Sequence, residues 1–86
     1  MRVYSVVKHS DMGDREAEPY SVLIGVFGSF AAALLCVHRN SQTGYVGELA
    51  EPRQKELIWD IDCRSRQWPY EWQYVIRAWD IMEELP

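Results

Sequence analysis

The feature that most constrains this chain is an apolar run from Val22 to Val37 (VLIGVFGSFAAALLCV), broken by nothing more polar than glycine and Ser29. The run falls short of the ~20 residues that a membrane-spanning helix needs. A signal peptide would place such a run close behind a basic amino terminus. Here it follows Asp11, Asp14, Glu16 and Glu18, opposed by Arg2, Lys8 and Arg15. Ala31-Ala32-Ala33 imitates a small-residue cleavage site and is the one feature that speaks for export. A buried strand running into a buried helix explains the segment better, and the chain reads as soluble and cytoplasmic. Residues 20–28 are apolar on both faces, the pattern of a central strand, with Gly25 and Gly28 marking a close approach and the strand's end. Ser29 is placed to cap a helix over Phe30 to Arg39, rich in alanine and leucine, with Asn40 as its stop.

Period-two patterns supply the remaining strands. Residues 2–9 are rich in Val and Tyr, and residues 10–19 form a polar, acidic loop. Residues 56–64 alternate, with Leu57, Trp59, Ile61 and Cys63 opposed to Ile58, Asp60, Asp62 and Arg64. Residues 65–70 turn at Pro69. Residues 71–83 then place Trp72, Tyr74, Ile76 and Ala78 opposite Gln73, Val75, Arg77 and Trp79, which predicts a hairpin. Residues 40–55 read mainly as a long loop, interrupted by a short strand near Tyr45-Val46 or a helical turn near Glu48–Ala50. With 86 residues there is room for one domain, 1–86. The expected fold is α+β, β-β-α-β-β, a mostly antiparallel four-stranded sheet with one helix on one face.

Residues that could carry chemistry are few. His9, His38, Cys36 and Cys63 are the only histidines and cysteines, and none has the paired spacing of a structural zinc site. Cys63 with His9 could be assembled by folding, but nothing nearby would activate the thiol. Asp60 and Asp62 share a strand face, with Asp80 placed across the hairpin and Arg64 and Arg77 as relieving neighbours. Gly25–Gly28 and Gly44–Gly47 have a GxxG outline but lack flanking basic residues, and read as ordinary turns. The expectation is therefore no enzyme, no metal and no cofactor. Nine basic against thirteen acidic residues give a net charge of −4, which argues against direct nucleic-acid binding.

The aromatic residues are more informative. Trp59, Trp68, Tyr70, Trp72, Tyr74 and Trp79 fall between positions 59 and 79, too many for one small core, and exposed Trp and Tyr anchor interfaces. At the other end, Met1 to Tyr4 (MRVY) and Ile24 to Ala33 (IGVFGSFAAA) resemble short uncharacterised bacterial and phage proteins that open M-[KR]-V-Y and carry I-G-V-[FY]-x-S before an alanine-rich helix. The resemblance covers about half the chain. It implies an edge strand, a central strand and a capped helix, and supplies no catalytic residue. In type, the chain is similar to small acidic phage inhibitors of host defence, including anti-CRISPR proteins.

These readings converge on a non-enzymatic protein-binding module, an inhibitor or adaptor in a host–virus interaction. Its expected partner-binding residues are Trp59, Asp60, Asp62, Arg64, Trp68, Tyr70, Trp72 and Asp80. Aromatic anchors give affinity, and the acids steer the module to a basic partner such as a nucleic-acid-binding host protein. Truncating Trp68 or Trp72 is expected to weaken binding and spare the fold. The alternative is a small-ligand module that stacks a nucleotide between Trp and Tyr rings. An apolar helix and surplus rings also imply a homodimer, unless the 40–55 segment covers the helix with Tyr45, Val46 and Leu49.

Overall fold

The structure is a computed structural model that describes residues 1–11, 20–43, 46–67 and 70–81. In chain order the elements are β1 (Arg2–Asp11), β2 (Tyr20–Phe27), α1 (Phe30–Ser41), β3 (Gly47–Leu49), β4 (Arg53–Lys55), β5 (Ile58–Ser65) and β6 (Glu71–Asp80). All strands join one antiparallel sheet in the order β2-β1-β6-β5, with β3 and β4 both paired to the free side of β5. The first and last strands are the middle of the sheet, paired from Arg2 opposite Asp80 to Asp11 opposite Glu71. The helix carries the chain from the β2 edge to the β3 edge. The fold is α+β, as the sequence implies.

The register puts one row of side chains from each central strand under the helix. Val6, Ile61, Cys63, Trp72, Tyr74 and Ile76 form a buried core with Ala33 and Val37 of α1. Burying each large aliphatic side chain stabilises the fold by ~1.5–3 kcal/mol. Tyr4, Phe30 and Trp59 close one end of this core, with the Phe30 and Trp59 ring centroids 4.7 Å apart. Ser29 caps the helix by accepting the Ala32 N–H at 3.1 Å. The helix runs past the expected stop at Asn40. That residue is held in helical register because its side-chain oxygen accepts the Tyr74 hydroxyl at 2.6 Å, and the next residue, Ser41, is fully buried.

Three expectations need correction. The sheet has six strands, because residues 40–55 contribute β3 and β4, whose three residues apiece are too few to show a period. Pro52 lies between them and lacks the amide needed to continue a ladder. β1 is a central strand and β2 an edge, the reverse of the order expected from hydrophobicity and resemblance. Of the segment expected to plug the helix, Leu49 packs against the core from β3, while Tyr45 lies outside the described residues.

Candidate docking surface on the open sheet face

The other face of the sheet carries the alternate residues, and among the described residues no element lies over it. Its apolar half spans β2, β1 and β6. Leu23 is 60% exposed, Val26 55% and Trp79 44%, with the half-buried Val3, Val7 and Val75 between them. Soluble domains seldom leave large side chains grouped in this way without use.

Trp79 is held in place on this surface. Its indole N–H donates to Ser5 Oγ at 2.9 Å, and the Arg77 guanidinium stacks 4.0 Å from the ring centroid. A rigid, partly exposed ring with its polar atom already satisfied loses little entropy when a partner covers it.

The second half is a groove of about 730 Å³, lined by polar residues that include His9, Ser21, Asp62, Arg64 and Gln73 and by the apolar Leu49 and Trp72. Its charges are paired. Asp62 meets Arg53 at 3.1 Å and accepts from Gln73, Arg64 meets Glu71 at 3.3 Å, and Glu48 meets Arg66 at 3.2 Å. Exposed pairs of this kind contribute ~0–1 kcal/mol each, so their effect is to neutralise the wall rather than to brace it. The charges lining the groove are therefore balanced. Asp11, Asp14, Glu16, Glu18, Glu83 and Glu84 supply much of the acidity, opposed only by Arg15, and the rest of the chain holds eight basic against seven acidic residues.

The residues expected to bind a partner divide between the faces. Asp60, Asp62 and Arg64 lie on the open face. Trp72 is buried, while Trp59 and Tyr70 pack against the core. Trp72 is thus a core residue, and its truncation cannot spare the fold. Asp80 stands beyond the end of β5 and pairs with Arg2 at 2.9 Å, which holds its carboxyl below the usual carboxylate range. It does not join Asp60 and Asp62. Arg77 does not relieve them either, since it stacks on Trp79. Trp68, Glu83 and Glu84 lie outside the described residues. Trp79 is the exposed ring of the open face and is not among the residues expected to bind a partner, although parity sets it out of phase with Trp72, Tyr74 and Ile76.

Cys63 and His9 project from opposite faces and do not form a nucleophile pair. Burial pushes the Cys63 thiol up to about 11, slightly offset by Lys8, which keeps it protonated at neutral pH. Among the described residues no three His, Cys, Asp or Glu side chains gather as metal ligands, and no helix is long and apolar enough to cross a membrane. Comparison with protein-family models, curated proteins and solved structures returns no match.

Proposed function

We propose that this protein is a non-enzymatic protein-binding module that docks through the open face of its sheet. The observation that carries this reading is the preorganised Trp79, stacked on Arg77, bonded to Ser5 and set in one apolar surface with Leu23 and Val26. Trp79 fills the anchor role that the sequence suggested for Trp72. The acidic stretches 11–19 and 82–86 supply a field that favours a basic partner. Together with the resemblance to small phage and bacterial proteins, this supports an inhibitor or adaptor, such as an anti-defence protein acting on a nucleic-acid-binding host factor. The test is quantitative affinity capture from host lysate with the wild type, Trp79→Ala and Leu57→Ala, the last an exposed residue away from this face. Trp79→Ala should weaken retention of the specific partner roughly thirty-fold, as expected for the loss of a hot spot of about 2 kcal/mol, and Leu57→Ala should retain it. Equal retention by all three would overturn the assignment of the surface.

A second reading rests on the groove, whose size and convergent polar side chains suit a small polar ligand such as a nucleotide. Recognition there would be by hydrogen bonds from His9, Arg64 and Gln73. Thermal-shift titration against a nucleotide panel decides it: saturable stabilisation supports the reading, and a flat response discards it.

A further inference from the structure

The outer edge of β2 is unpaired among the described residues, and natural proteins protect such edges with charges, prolines or bulges. β2 has little protection. From Tyr20 to Gly28 the chain (YSVLIGVFG) holds no charged residue and no proline, in a sequence that is 26% charged. Its one device is a bulge, where the register with β1 skips Ile24. Apolar side chains stand exposed on both sides of the strand: Tyr20 and Val22, each 44% exposed, on the helix side, and Leu23 and Val26 on the open side. An edge strand beside solvent has no use for an apolar row on each face. A central strand does, and a central strand is what this sequence spells.

We propose that β2 pairs antiparallel with β2 of a second copy about a two-fold axis near Val22 and Leu23, so that two sheets become one and β2 becomes an interior strand. The second copy is the occupant that fits best for two reasons. An antiparallel strand edge is its own complement, so one patch serves both partners. The segment is also electrically neutral, so two chains of net charge −4 can meet there without opposing like charges within the contact. With the axis at Leu23, the partner strand would set Leu23 directly opposite its equivalent on one face and bring Val22 diagonally across from its equivalent on the other. It would also align the two open faces into one longer apolar surface.

Sedimentation equilibrium at micromolar concentration should give about twice the 10.1 kDa chain mass. The double variant Val22→Lys with Leu23→Lys, which places repelling charges on both sides of the edge, should give the single-chain mass, while Trp79→Ala should leave the mass unchanged. Amide hydrogen exchange of the wild type supplies a second reading that does not depend on the variant folding. Across Ser21–Leu23, both the inward and the outward amides should be protected in concentrated samples, and the outward ones should lose protection on dilution. A single-chain mass for the wild type overturns the proposal. So does a dimer that survives the lysine pair, or one whose outward β2 amides exchange freely at every concentration. Each of these results would assign the edge to a partner strand or to solvent.

Discussion

A Cβ placed on Gly47 would overlap the Cys63 sulfur and come within 2.8 Å of the Trp72 ring. This glycine, whose spacing from Gly44 suggested a turn, instead lets the backbone of β3 lie directly on two core side chains. Gly47→Ala must displace the indole or the strand, and overpacking of this kind costs ~1–3 kcal/mol. A lower midpoint in urea unfolding with an unchanged slope is the expected result. An unchanged midpoint would mean that β3 is free to lift away from β5.

Trp72 should behave as a core residue. Trp72→Ala should cost about 3–5 kcal/mol, enough to leave a domain of this size largely unfolded. Trp72→Phe should cost clearly less. The buried indole N–H has no hydrogen-bond partner among the described residues, and removing it relieves an unpaired donor worth ~1–3 kcal/mol. Circular dichroism melts of the two variants make the comparison, and equal losses would show that the ring volume kept by phenylalanine stabilises nothing, so that the core requires the indole itself.

Stability should fall on the alkaline side. Burial pushes the Cys63 thiol up to about 11 and the Tyr74 hydroxyl to about 12. An unfolded thiol ionises near ~8.5 and an unfolded phenol near ~10, so above those values the unfolded chain releases protons that the folded chain retains. Stability from both groups is fully present below these unfolded values and is lost as pH rises through the folded ones. Urea midpoints should decline between roughly pH 8.5 and 12, with Cys63→Ala flattening the lower part of the decline. A midpoint constant across that range would contradict the burial of both groups.

The β5–β6 hairpin could be read from the sequence because alternation of period two assigns each side chain to a face. The same parity separates Trp72, with Tyr74, Ile76 and Ala78, from Trp79. Alternation alone does not say which of the two faces is buried, and so the expected partner-binding residues include Trp72 and leave out Trp79. The pairing of β1 with β6 left no local trace, since it joins Arg2 to Asp80 across nearly the whole chain. β3 and β4 were illegible for a different reason. Gly47 is selected by contact with Cys63 and Trp72, which are distant in sequence, and three residues cannot establish a period. Half of the open face was therefore visible in the alternation of β5 and β6, and the half contributed by Leu23, Val26 and Ser5 was not.

Glu56 begins the two-residue turn between β4 and β5 with a φ of 57°, a conformation that penalises any residue with a Cβ. Glycine is favoured at this first central position of a hairpin turn. Glu56→Gly should stabilise the protein by about 1 kcal/mol, since the exposed side chain contributes no packing that would be lost. A higher melting temperature is the expected result. A destabilised variant would show that the turn relaxes to negative φ in solution.

Trp79→Ala should show the opposite profile to Trp72→Ala. The ring is 44% exposed, so its removal should cost the fold clearly less than removal of the buried Trp72. Partner affinity should fall by at least ~2 kcal/mol, because the same ring is the preorganised anchor. Ser5→Ala separates the presence of the ring from its positioning. It removes the oxygen that accepts the indole N–H while retaining the apolar contact, so binding should weaken by ~0.5–1.5 kcal/mol with little change in the melting temperature. Calorimetric titration of the captured partner against the three proteins reads both quantities. If Ser5→Ala bound as tightly as the wild type while Trp79→Ala failed, the ring would matter only for its area, and the held indole would carry no binding advantage.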